Sequence, residues 1–173
     1  MAASKNDMRA GLARSARFII QAWALFGGVL LCALVLMNVY SVLSAALVGR
    51  PFPGDFEMTE VGVAVAVFAF LPYCQLTDAN VTADIFTSGA SPRTVAILKV
   101  AASIVALCFS AILVWRMSAG MLDQKAYGYT TAILQFPHWT AFIPILLSLV
   151  LLAVASLMTA TDALHDAHRP PDA

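Results

Sequence analysis

Charge is scarce in this sequence. Asp, Glu, Lys and Arg together make up 12% of the residues, where a soluble domain carries roughly a quarter. Ten basic and ten acidic residues cancel to a formal net charge of zero, so no basic surface points to a nucleic-acid partner. Cysteine is scarce as well. Cys32, Cys74 and Cys108 each sit inside an apolar run and form no CxxC pair, which supports neither a disulfide framework nor a zinc site and reads as small apolar packing. Histidine is absent from the interior of every apolar run, so haem ligation between paired helices has no ligands. His138 precedes Trp139, and His165 and His168 lie with Asp162 and Asp166 in the tail DALHDAHRPPDA. That tail could bind a metal but reads as a solvated segment. No Ser/His/Asp set, P-loop or HExxH occurs, which leaves an enzyme nothing to work with.

What is abundant is apolar. Hydrophobic residues are 61% of the chain and the mean hydropathy is +0.83, so the expected solvent is a bilayer. A helix needs about 20 mainly apolar residues to cross it, and four runs qualify, at about 18–45, 58–76, 94–115 and 139–160. The first can extend to Val48, longer than a span needs. The stretch VGVAVAVFAF (Val61–Phe70) alternates with the period of a strand. The other runs are continuous and rich in Leu, Ile and Ala, so the chain reads as all-α rather than as a barrel. Gly62, Ala64, Ala66 and Ala69 then offer close-packing surfaces to a neighbouring helix.

The first run is too long for the apolar region of a signal peptide and is expected to stay as an anchor. Lys5, Arg9, Arg14, Arg17, Arg93 and Arg169 fall on one side of the four spans, and Arg50, Arg116 and Lys125 in the loops of the other. The positive-inside rule then places both termini in the cytoplasm. The expected organisation is a single four-helix membrane domain, 1–173, with a basic N-terminus (1–17) and a cytoplasmic tail (161–173). Val81, Ile85 and Phe86 within the inner loop (Thr77–Arg93) predict a short interfacial segment between helices two and three.

Asp55, Glu57 and Glu60 stand at the outer, N-terminal end of the second span, where the helix dipole and unpaired N–H groups favour negative charge. Capping explains Asp55. Glu60 falls at or below the interface, where a carboxylate needs a partner, and Glu57 shares its face three residues away. The partner is expected on Arg50, on Arg116 or on another protein, and capping and pairing both remain open. At the inner end Gln75, Asp78, Asn80 and Asp84 are expected to be neutralised by Arg93 and Lys99. Ser103, Ser110 and Ser148 stand alone in their runs, Gly27–Gly28 is the glycine pair within a span, and no internal repeat is visible, so transport by this chain alone is disfavoured.

Two stretches carry a resemblance. VGRPFPGDFEMTEVGVAVAVFAFLPYCQLTDANVTADIFT (Val48–Thr87) and YTTAILQFPHWTAFIPILLSL (Tyr129–Leu149) resemble the small DctQ-type membrane subunit of TRAP (tripartite ATP-independent periplasmic) transporters. Pro53 and Gly54 match that family's turn before the second helix, and Glu57 matches its acidic residue there. Asn80, Val81 and Asp84 match its loop pattern, and Pro137 and Trp139 the start of its last helix. Ala45 stands where many members have Arg, and Thr77 and Asp78 where they have basic residues, so no charge pairing is transferred. The resemblance implies a non-catalytic scaffold in the bacterial inner membrane, part of a sodium-coupled importer of organic acids. Its implied partners are a large DctM-type subunit, which binds substrate and sodium, and a periplasmic substrate-binding protein. No cofactor is expected in this chain. The alternatives are the small subunit of a tripartite tricarboxylate transporter, a membrane anchor of a redox enzyme, and a stand-alone homo-oligomeric channel.

Overall fold

The computed structural model describes the backbone of residues 2–77, 79 and 92–167, with side chains for 11–77, 79, 94, 95 and 97–164. Four helices account for nearly all of it: α1 (Ala2–Val48), α2 (Asp55–Leu76), α3 (Pro92–Ala126) and α4 (Trp139–Ala167). Each is long and apolar enough to cross a membrane, and no strand occurs among the described residues. The period-two stretch Val61–Phe70 is helical, because a lone strand in lipid would leave its backbone polar groups unpaired. The interfacial segment predicted within Thr77–Arg93, together with Asp78, Asn80, Asp84 and the Arg93 side chain, lies outside the described residues.

The helices run past the apolar runs. α1 starts sixteen residues before Phe18, α3 continues eleven residues beyond Trp115, and α4 passes Ala160 by seven. The extensions are rich in Ala, Arg, Lys, Met and Leu, good helix formers that carry on where the apolar run stops. Arg116 and Lys125, expected in a loop, are therefore helical, in the interior and in the last turn of α3. Proline marks three positions. Pro92 opens α3, where its missing N–H is not needed. Pro72 and Pro144 lie inside α2 and α4. The Ser148 hydroxyl donates to the Pro144 carbonyl at 2.8 Å, a back-bond to the residue four before it.

The order of packing is α1–α2–α4–α3. α2 lies against α1 and α4, α3 lies against α4, and α1 touches α4 only lightly. This is a row with one central seam. Val65 of α2 meets Ile145, Leu149 and Leu152 of α4 there, flanked by Leu113, Val114 and Met117 of α3. The α1–α2 contact is closer. A Cβ at Gly62 would stand 2.6 Å from Leu34 Cδ1, so the absent side chain lets the two helices approach. Ala66 and Ala69 are fully buried beside it.

Polar side chains link the helices. Trp23 Nε1 donates to Ser148 Oγ at 2.9 Å, and Ser103 and Gln75 both meet Thr159 Oγ1 at 3.1 Å. Ser103 and Ser148, isolated in the sequence, are therefore paired in space. Arg17 and Asp162 form an exposed ion pair at 3.1 Å, worth at most about 1 kcal/mol.

Candidate functional site

The end of the row that carries Asp55 and Glu57 holds the densest polar network. It begins on α1. Asn38 and Ser41 are three residues apart and so share a face. Asn38 Nδ2 donates to Thr59 Oγ1 at 2.9 Å and to the Leu34 carbonyl at 2.8 Å. The Ser41 hydroxyl donates to Asp55 Oδ2 and accepts the Phe52 N–H at 3.1 Å, while Ser44 Oγ donates to the Arg50 carbonyl at 2.7 Å. The turn from α1 to α2 is thus fixed from the α1 side.

The N-cap of α2 is Gly54, at φ 77° and without a side-chain cap. Asp55 is the first helical residue and not the cap. Its second carboxylate oxygen still takes an otherwise unpaired donor, the Phe56 N–H at 2.7 Å. Gly54 is required twice over: its backbone is left-handed, and a Cβ there would stand 2.5 Å from Leu134 Cγ.

Leu134 belongs to the α3–α4 connection, which folds back on itself. Thr130 and Pro137 form a bridge. The Thr131 N–H donates to the Phe136 carbonyl at 2.9 Å, the Phe136 N–H returns to Thr131 Oγ1 at 3.0 Å, and the His138 N–H donates to the Tyr129 carbonyl at 3.0 Å. Gln135 takes a positive φ of 55° to close the tip. The tip presents two backbone donors to α2. Ile133 N–H donates to Glu57 Oε1 at 2.7 Å and Leu134 N–H to Oε2 at 3.0 Å.

Glu57 lies in the first turn of α2, ahead of the apolar run that starts at Met58, and so outside the hydrocarbon. Partial desolvation pushes its pKa up. Hydrogen bonds from Leu134, Ile133, the Thr131 hydroxyl and Ala132 outweigh that and hold it below the usual carboxylate range. Where the sequence predicts a cationic or hydrogen-bonding partner on Arg50, on Arg116 or on another protein, Glu57 has hydrogen-bond donors, the backbone amides of a loop 76 residues away. The arrangement is a clamp, with a carboxylate as its jaw and a hairpin tip as its load. Beneath the tip lies an apolar cavity of about 340 Å³, walled by Leu34, Val61, Gly62, Val65, Leu134 and Phe136 with Glu57 at its edge.

Glu60 is exposed one turn below Glu57 and has no hydrogen bond or ion pair among the described residues. Pro137 closes the hairpin, and its carbonyl accepts Thr140 Oγ1 at 2.6 Å. Trp139 opens α4, with Lys125 Nζ 5.1 Å from the centroid of its ring, a cation–π distance. No group of three or more His, Cys, Asp or Glu gathers as a metal site among the described residues. The side chains of His165, Asp166 and His168 lie outside them.

The clamp brings together PGDFE (Pro53–Glu57) and the segment Thr130–Trp139, stretches far apart in the chain. Residues 34–165 match the model of the family described as tripartite ATP-independent periplasmic transporters, DctQ component. The chain belongs to the DctQ family. It is a multi-pass membrane protein, and its family implies the small subunit of a TRAP transporter, a transport component partnered by a DctM-type subunit and a substrate-binding protein. No curated protein and no solved structure matches the chain. The matched region takes in α2, α3, α4 as far as residue 165, the clamp and α1 from Leu34 onward, and so includes every residue that holds the DctQ rim together.

Sequence reasoning missed Ser41, Asn38, Thr59 and Thr131. Asn38 and Ser41 carried a signal, as polar residues at helical spacing inside an apolar run. Thr131 carried none, because its role depends on a hairpin that uncharged residues make with their backbone.

Proposed function

We propose that this chain is the fixed scaffold of a sodium-coupled TRAP importer of organic acids in the bacterial inner membrane. In this reading the large DctM-type subunit binds substrate and sodium and moves. The present chain widens the membrane platform around it, and its clamped rim forms part of the surface on which the periplasmic protein docks. Both termini lie in the cytoplasm and the clamp faces the periplasm. With Arg116 within the span, Arg50 and the last-turn Lys125 are left at the clamp end against six basic residues at the other, which supports that orientation.

The observation that carries the reading is the arrangement of the row. Four pairs of polar side chains tie its helices together, Trp23–Ser148, Gln75–Thr159, Ser103–Thr159 and Asn38–Thr59, as suits a rigid packing element. Its two end helices leave broad apolar faces uncovered: Leu25, Val29 and Leu36 on α1 and Val105, Phe109 and Ile112 on α3 are all more than half exposed. Such a platform suits contact with a second membrane protein or with lipid.

Affinity purification tests this. The chain, tagged at its C-terminus and extracted from its native membrane in mild detergent, is expected to bring down a multi-span DctM-type subunit in about equal amount. Recovery of this chain alone as a defined homo-oligomer would contradict the scaffold reading and favour a stand-alone channel.

A further inference from the structure

Three contacts set the register of the antiparallel helices α3 and α4. Ser103 meets Thr159, Gly120 faces Phe142, and Lys125 reaches Trp139. Counting from Ser103–Thr159 or from Gly120–Phe142 places Arg116 beside Leu146, seven residues beyond Trp139, or about 10 Å along the axis. The parallel pair α2 and α4 is registered by Gln75–Thr159, which sets Asp55 level with Trp139. The apolar run of α2 starts three residues past that level, at Met58, so the hydrocarbon layer begins about 5 Å beyond it. Arg116 thus starts about 6 Å inside that layer.

Arg116 is exposed, and among the described residues it has no hydrogen bond or ion pair. It lies on one stripe of α3 with Val105, Phe109 and Ile112, at helical spacing and on a flank that α4 leaves uncovered. Its Cα–Cβ bond tilts toward the N-terminus of α3, away from the nearer interface, so the stem reaches that interface only in part. Glu60, about 7 Å below the same level by the α2–α4 register, is a second uncompensated charge, but α4 separates it from α3. An isolated charge at such depth is costly and needs a counter-charge.

We infer that the Val105–Arg116 stripe of α3 is the surface on which the large membrane subunit sits, and that this partner presents a membrane-embedded carboxylate to Arg116. The inference rests on the scaffold reading and names the helix and the side chain through which it operates. Complementary charge in an apolar surround fixes register between two spans, and removing one member leaves the other buried and unpaired.

The test places photoreactive p-benzoylphenylalanine at position 116, with Leu157 on the exposed face of α4 as control, in the chain expressed with its transporter. The label at 116 is expected to attach to the large subunit, above the yield at 157, within one helical turn of an Asp or Glu in a span. Arg116→Gln is expected to lower recovery of the large subunit about tenfold or more, while Arg116→Lys retains most of it. If the wild-type chain brings down the large subunit, yet position 116 labels lipid alone and Arg116→Gln assembles normally, the arginine is a lipid anchor and the inference is wrong while the scaffold reading stands. If the wild-type chain brings down no large subunit, both fail.

Discussion

Glu57 and Leu134 hold each other across 77 residues of sequence: the carboxylate of the first accepts the backbone N–H of the second at 3.0 Å. Together with the bond from Ile133 at 2.7 Å, this ties the start of α2 to the tip of the α3–α4 hairpin. Charge-assisted bonds of this kind are about twice as strong as neutral ones. A glutamine offers one acceptor oxygen where the carboxylate offers two, and its amide nitrogen would face a donor. Glu57→Gln is therefore expected to speed hydrogen exchange at the Ile133 and Leu134 amides roughly tenfold or more, with little change along α4. Equal exchange in both proteins would mean that the clamp does not hold the hairpin.

The same bonds set a pH dependence. They hold the Glu57 pKa below its unfolded value, so the stabilisation is fully present above the ordinary glutamate range and is lost as pH falls through the lowered value. Glu57 and Glu60 are the two glutamates of the chain. In the wild type, difference infrared spectroscopy against Glu57→Gln should show a glutamate carboxyl that protonates below the ordinary range. A Glu57 midpoint at or above that range would show that desolvation dominates.

Gly54 and Leu134 form the apolar half of the clamp. Gly54→Ala places a Cβ 2.5 Å from Leu134 Cγ at a backbone φ of 77°. The left-handed backbone alone costs about 1–2 kcal/mol for a residue with a Cβ, and the overlap adds to it. Leu134→Ala removes the overlap and leaves the backbone cost. In a double-mutant cycle read by unfolding in mixed micelles, the double variant should be less destabilised than the sum of the singles. Strict additivity would place Leu134 away from Gly54.

At mid-membrane the Trp23–Ser148 bond at 2.9 Å joins α1 to α4 where these helices otherwise scarcely meet. Trp23→Phe and Ser148→Ala are expected to show a coupling of about 0.6 kcal/mol, the average for hydrogen bonds between membrane helices, and no more than about 1.7 kcal/mol. A coupling near zero would mean that this bond does not hold α1 to α4.

The four spans were legible because length and hydropathy are properties of a run and do not depend on what it packs against. The ends of the helices were not, because good helix formers extend α1, α3 and α4 past the apolar limits. Glu57 was legible as a residue in need of a partner. The partner was not, because backbone amides leave no mark in residue type and the hairpin that aims them is set by Gln135 at positive φ and by Thr131 bonding both ways across the turn. Arg116 was misplaced for a related reason. Hydropathy ends the third run at Trp115, but its depth is decided by register with α4 through Ser103, Gly120 and Lys125.

The account turns on the contact between the α2 N-terminus and the hairpin, and a distance measured in bilayers tests it most directly. With glutamate labelled at the carboxyl carbon, leucine labelled at the backbone nitrogen and Glu60→Gln in place, Glu57 is the one labelled glutamate. Rotational-echo double resonance should then find a leucine nitrogen within about 4 Å of that carbon, as an N–H···O bond requires, and Leu134→Ile should abolish the signal. Absence of dephasing in the chain that retains Leu134 would contradict the clamp.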